Sequence, residues 1–279
     1  METKTINPYL KVIFAALLWS TSGIFVRLLD LSPGVFSFFR MVIPAVFLFI
    51  FLKIQKRNLN KGSILFLLIG SFLNALRMIL YYAAYSYTSL GNAVVILYTW
   101  PIFMTILSII FLKEKIILRN IILLFIAFTG IIIVFINKKF SFKDDDFIGM
   151  IAMLFSSIIY SFSLIIFKKN TKEYSGLEIT FFQNIVGAII FIPFVFMLPE
   201  ISMFKLTLIS LQGFLVGVIA FFLFFSALRE LTSAKASLLS YLEVLNTICI
   251  SVFVFHEPFT WNLLLGGSLI LISVIILKR

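Results

Sequence analysis

The sequence predicts an all-α membrane protein of ten transmembrane helices, arranged as two inverted five-helix repeats. Three observations carry this. Of the 279 residues, 62% are hydrophobic and only 13% charged, against roughly 45–50% and about 25% in soluble globular chains. The apolar residues run continuously for about the 20 positions a bilayer-crossing helix needs, without the alternation of a barrel strand. Polar landmarks of the first half recur in the second at one constant offset. With a mean hydropathy of +1.14, such a chain cannot cover a water-facing surface. That excludes a soluble enzyme, a secreted disulfide scaffold and a disordered chain.

The spans are read at 9–28, 33–52, 63–84, 89–111, 117–137, 147–167, 177–198, 207–228, 234–255 and 260–277. The first run is full length and lacks an A-x-A site near its end, so it is expected to stay as a span. The longest connection, KKFSFKDDD, begins at Lys138 and falls at the midpoint. It divides a first repeat, 1–139, from a second, 147–279, with 140–146 as linker. Asp144, Asp145 and Asp146 read as a solvated loop run.

Charge sets orientation. The formal net charge is +11, yet no basic domain stands outside the membrane, so nucleic acid is not an expected partner. With the N-terminus in the cytoplasm, 16 Lys and Arg fall inside and 5 outside, with Arg40 and Arg77 within spans. This bias predicts a multi-pass protein of the cytoplasmic membrane with both termini cytoplasmic. The single Cys249 excludes an internal disulfide, and no residue set suggests a metal or cofactor.

A shift of 143 residues lays Ser89–Lys115 on Thr232–Pro258. Ala93 then meets Ala236, Tyr98 meets Tyr241, Ser108 meets Ser251 and Glu114 meets Glu257. Five spans per half is an odd number, so the second half enters the membrane upside down, as in many secondary transporters. The uncharged loop at Tyr85–Asn92 is predicted outside, and its counterpart, with Arg229, Glu230 and Lys235, inside.

Several stretches carry a resemblance over essentially the whole chain. They are ALLWSTSGIF in the first span, FFRMVIPA around Arg40, AAYSYTSLGNAVVILYTWPIF across the third and fourth, FLKEK with its repeat FHEP, and FTGIIIVF in the fifth. In order and spacing these resemble the drug/metabolite transporter superfamily, specifically the EamA-type ten-helix permeases. The resemblance implies export or exchange of small metabolites, often amino acids, by alternating access. Two departures matter. The family pattern has Pro in both equivalent helices, but Pro101 is matched by Val244, which leaves no warrant for a kink in the ninth span. The first span has WSTSG and no acid where small multidrug relatives carry a membrane-embedded Glu, so cation–proton exchange of that kind is unsupported.

Three ionisable residues lie within spans, where a charge costs roughly 2.5–3.5 kcal/mol on insertion scales. Arg40 and Arg77 sit roughly 10 Å from the outer boundary, and Glu243 roughly 14 Å from the inner one, at about 1.5 Å per residue. One reading is a structural salt bridge. The other is a substrate clamp, since arginine offers a planar, always-charged fork for a carboxylate. Helical spacing adds polar faces: Gly70, Asn74, Arg77 and Tyr81 on the third span, and Ser240, Glu243, Asn246 and Thr247 on the ninth. Tyr98, Trp100 and Pro101 lie near the middle of the fourth, and Gln183 and Asn184 within the seventh. The expected substrate-binding set is Arg40, Asn74, Arg77, Tyr81, Tyr98, Trp100, Gln183, Asn184, Glu243 and Asn246. Interhelical hydrogen bonding is the alternative for the amides, and packing for Tyr98 and Trp100. Trp19, Ser20, Thr21 and Ser22 are weaker candidates, and Gly213, Gly217, Gly266 and Gly267 read as packing faces or hinges. His256 and Glu257 read as an interfacial helix end.

The expected function is secondary transport, as exporter or exchanger, of small polar metabolites such as amino acids. A drug or organic-anion efflux permease is the alternative, and a non-transporting membrane scaffold a further one. A membrane-embedded enzyme would need a nucleophile–base pair or metal set, which one His and one Cys do not supply. The chain has no G-x-x-x-x-G-K-[ST] motif, so any active pumping would draw on an ion or solute gradient, with coupling to protons, to counter-substrate or to neither left open. The expected partners are a small-molecule substrate and the lipid bilayer, with the protein a monomer or a homodimer.

Overall fold

A computed structural model of the chain describes residues 6–136, 144–198, 200–256 and 258–278. Side chains of Arg27, Leu90, Gly91, Asp144, Asp145 and Lys278 are outside the description, as is Glu257. Residues 140–143 of the predicted linker also lie outside the described residues.

Among the described residues the regular structure is helical, with no strand. Among the described residues nine helices are long and apolar enough to cross a membrane: Pro8–Val26, Pro33–Ile54, Ile64–Tyr87, Asn92–Leu112, Leu118–Phe135, Asp146–Asn170, Gly176–Met197, Met203–Leu228 and Ser233–Phe253. These are the first to ninth spans below. A tenth apolar helix, Trp261–Leu277, is shorter. Large apolar side chains such as Phe14, Ile50, Ile69, Phe125 and Ile272 face outward, half exposed or nearly so. Buried serines and amides lie inside. That inside-out distribution suits a lipid surround.

The spans pack chiefly between halves. The third lies along the sixth, the fifth along the tenth helix, and the second along the seventh. The first meets the eighth and ninth, and the fourth meets the sixth and ninth. Replacing each span by the one five places further along turns this set of pairings into itself. Close approaches are made at glycines. A Cβ on Gly130 or Gly266 would collide with the other's carbonyl oxygen, which holds the fifth span against the tenth helix. Gly213 and Gly217 lie against Ile43 and Pro44 of the second span. Between them the eighth span relaxes into a wide π-helical stretch, Gly213–Ala220.

The fourth span is broken into Leu90–Leu97 and Trp100–Leu112. Pro101 has no N–H for the Leu97 carbonyl, and in lipid an unmet carbonyl costs several kcal/mol. The sixth span supplies the donors. The Ser157 hydroxyl reaches the carbonyls of Ile96 and Leu97, both at 3.1 Å, and Ser161 donates to Trp100 O at 2.9 Å. The ninth span is also broken, into Ser233–Ser240 and Leu242–Phe253. Val244 gave no warrant for a kink, and the question the sequence left open is answered by the interruption at Tyr241, which needs no proline. There the Tyr241 hydroxyl donates to Tyr98 O at 3.0 Å, so the two breaks meet.

One expectation is corrected. Asp146 is not loop but the first turn of the sixth span, 9% exposed. It accepts from Thr88 Oγ1 and Ser89 N, both at 3.2 Å, at the start of the fourth span.

Candidate functional site

A cavity of about 130 Å³ lies in the middle of the bundle, where the broken spans cross. Trp19 and Ser22 come from the first span, Arg40 from the second, and Arg77, Met78 and Tyr81 from the third. Leu97, Tyr98 and Trp100 come from the fourth, Tyr160 from the sixth, Phe221 from the eighth and Glu243 from the ninth. Six of the ten residues expected from the sequence therefore line it: Arg40, Arg77, Tyr81, Tyr98, Trp100 and Glu243.

The other four lie outside this lining. Asn74 is buried behind Arg77 and accepts from its Nε at 3.3 Å. Asn184 donates to Thr180 O at 2.7 Å and Gly217 O at 3.4 Å, tying the seventh span to the eighth. Asn246 donates to Ser20 Oγ and to Leu17 O, tying the ninth span to the first. Gln183 is fully buried with neither side-chain polar atom paired. The polar faces predicted on the third and ninth spans are therefore split between cavity and packing. Gly70 illustrates the packing side, since its carbonyl accepts from Ser163 at 2.8 Å.

Among the described residues no ion pair within 4.0 Å joins Arg40, Arg77 and Glu243. The structural salt bridge considered from the sequence is not formed. Arg40 Nε is buried with no hydrogen-bond partner, and so is Trp19 Nε1. The guanidinium carbon of Arg77 sits 4.0 Å from the ring centroid of Tyr160. Trp100 packs edge-on to Tyr160 at 5.3 Å, and Tyr98 to Tyr241 at 6.2 Å. The cavity thus offers cationic forks, a carboxylate and an aromatic wall, and can hold a small molecule with a charged head.

Sequence reasoning missed Tyr160, together with Met78, Leu97 and Phe221. Tyr160 had a signal: it stands between Ser156, Ser157, Ser161 and Ser163, an unusually polar run for a span.

Below the cavity, toward the end of the bundle where the first span begins, aromatic rings pack on one another. Trp19 packs on Phe221 at 5.4 Å and on Phe224 at 5.0 Å, and Phe225 meets Phe167 at 5.2 Å. Phe167, Phe224 and Phe225 are fully buried. Beneath these rings lie three ion pairs: Lys11–Glu230 at 2.7 Å, Lys61–Glu178 at 2.7 Å and Lys168–Glu114 at 2.5 Å. Each joins a residue before the midpoint to one after it. Glu114 also accepts from Ser233 N at 2.8 Å, and Lys168 donates to Leu231 O at 2.6 Å.

The model of the EamA-like transporter family matches residues 7–136 and again 147–279. The chain belongs to this family. EamA-like relatives include an uncharacterized transporter, YoaV, of Bacillus subtilis (strain 168), 24% identical over 95% of this chain and 94% of its own length. Solute carrier family 35 member G1 of Mus musculus is 25% identical over 94% of this chain and 75% of its own. The S-adenosylmethionine uptake transporter of Rickettsia bellii (strain RML369-C) is 26% identical over 85% of this chain and 80% of its own. A solved crystal structure superposes with a TM-score of 0.85 at 14% identity, covering 96% of this chain and 95% of that one. That likeness shows the fold alone. The protein is a multi-pass, all-α membrane protein of a transporter family.

Proposed function

We propose that the protein is a secondary transporter that exports or exchanges small polar metabolites such as amino acids across the cytoplasmic membrane. The observation that carries this reading is the mid-bundle cavity faced by Arg40, Arg77 and Glu243 with no ion pair among them. Charges held within spans without an ion-pair partner are costly unless a ligand or water meets them. Arg40 and Arg77 would take the carboxylate, Glu243 the ammonium group, and Trp19, Tyr81, Tyr98 and Trp100 the side chain.

The mechanism is alternating access between two halves of opposite orientation. Three things support it: the odd span count per half, the pairings that survive exchange of the halves, and the discontinuous fourth and ninth spans at the cavity. The ion-paired end is the cytoplasmic end, carrying both termini, as the charge bias indicates. In this arrangement that end is shut by rings and ion pairs, so passage of a substrate requires the pairs between halves to part. Energy comes from a proton or counter-substrate gradient.

The test is uptake and counterflow in proteoliposomes with the proteinogenic amino acids as a panel. At least one should be moved, and Arg77→Ala, inserted normally, should lower its transport at least about tenfold, the scale of one lost charge-assisted contact. Unchanged transport by that variant would remove Arg77 from the site. Transport of none of the panel would overturn the amino-acid reading in favour of other organic anions.

A further inference from the structure

Arg77 is held from three directions. The Tyr160 ring lies against its guanidinium, with the guanidinium carbon 4.0 Å from the ring centroid. Asn74 Oδ1 occupies Nε at 3.3 Å. The Ser156 hydroxyl donates to the Arg77 carbonyl at 2.8 Å, which fixes the backbone beneath the side chain. Tyr160 is in turn steadied by Trp100. With the Tyr160 ring against the guanidinium and the Nε edge taken, Arg77 has its two terminal amino groups left for a ligand. That end matches the two coplanar oxygens of a carboxylate. A carboxamide offers only one acceptor oxygen there, and its NH₂ faces donors.

Charge narrows the choice further. Arg40, Arg77 and Glu243 line the same cavity and together carry one net positive charge. A single carboxylate neutralises it. A dianionic phosphate or phosphonate would overshoot and leave a buried net negative charge against Glu243, which is unfavourable in a low-dielectric setting.

We infer that Tyr160 is a positioning residue that sets Arg77 end-on to the cavity, and that the site is thereby selective for a ligand bearing one planar carboxylate. This rests on reading the cavity as the substrate site, but it does not require the substrate to be an amino acid.

The experiment uses the full-length protein in detergent and three probes that share a ring and differ in head group: benzoate, benzamide and phenylphosphonate. Binding is read by calorimetry and by fluorescence of Trp19 and Trp100, which line the cavity. Benzoate should bind at least about tenfold tighter than either other probe. Tyr160→Leu should reduce that ratio by about tenfold, within the range of a partly desolvated cation–π contact, while Tyr160→Phe, which keeps the ring, should restore it. A purely structural role for Tyr160 would not move the head-group ratio. Should Tyr160→Leu not fold, Asn74→Ala frees the Nε edge and must lower the same ratio. No benzoate binding by the unaltered protein, equal binding of benzoate and benzamide, or a ratio unmoved by these variants would overturn the inference. If the ratio behaves as expected while no amino acid is transported, the amino-acid reading fails and the carboxylate selectivity stands. If amino acids are transported but the ratio is unmoved, the reverse holds.

Discussion

The fourth and ninth spans stand five places apart in the chain, and both are broken near a tyrosine, Tyr98 in one and Tyr241 in the other. They are held open differently. The fourth has Pro101, two serines of the sixth span donating to carbonyls around the break, Leu97 among them, and the Tyr241 hydroxyl on Tyr98 O. The ninth has Val244 in place of proline, and the position 143 before Ser157 is Phe14, which has no hydroxyl to donate. Its first segment is instead fastened at the far end, where Glu114 accepts from Ser233 N and pairs with Lys168. One break is stabilised where it occurs. The other is set by what grips the short helix beside it. Glu243 lies just past the second break, so the less supported of the two spans carries the cavity's only carboxylate among the lining residues.

Three substitutions would break or sharpen this contrast. The largest effect is expected from Lys168→Met. Lys168 and Glu114 side chains are 11% and 13% exposed, and stranding one member of such a pair costs about 3 kcal/mol or more. The melting temperature in detergent should fall markedly, and far more than for Lys11→Met, whose partner Glu230 is 44% exposed. Equal, small losses would mean that the ninth span is not held through this clamp. Next comes Ser157→Ala, which strands the Leu97 carbonyl beside Pro101. A loss of about 1–3 kcal/mol is expected from an unmet buried acceptor, and combination with Pro101→Ala, which returns an N–H to that carbonyl, should recover part of it. No recovery would show that the proline is not what frees Leu97. The smallest effect is expected from Val244→Pro. The break already precedes it, and the substitution removes only the 3.0 Å bond from Val244 N to Tyr241 O. Pro in a helix interior costs about 3 kcal/mol. Here, in the first turn of Leu242–Phe253, the cost should stay near 1 kcal/mol. A full interior penalty would mean that the ninth span is continuous in the membrane.

Much of the chain was legible because membrane insertion is a local, one-dimensional property. The predicted runs fall within a few residues of the observed helices, since the length of an apolar stretch alone decides whether it crosses. The three charges within spans were equally plain, because a charge inside such a stretch needs a reason. Their company was not. Asn74 and Tyr81 share one helical face, yet one holds Arg77 from behind and the other lines the cavity. Asn184 and Asn246 looked like lining and serve as ties between spans. Tyr160 had no charge and no place in the repeat to recommend it, though its ring turned out to face Arg77. The ninth break had no proline to announce it.

By itself, then, the order of apolar and charged residues determined a helical membrane protein, the extent of its spans and the three costly charges within them. Tertiary structure decided which of two buried polar residues meets a cavity and which meets a neighbouring helix. It also decided that the arginines and the glutamate form no ion pair with one another, and that a helix without proline still breaks. The physical reason is that spans are chosen one at a time by transfer from water to lipid, whereas a cavity exists only between spans. Its walls depend on contacts such as Ser157 to Leu97 and Asn246 to Ser20, which join residues far apart in the chain.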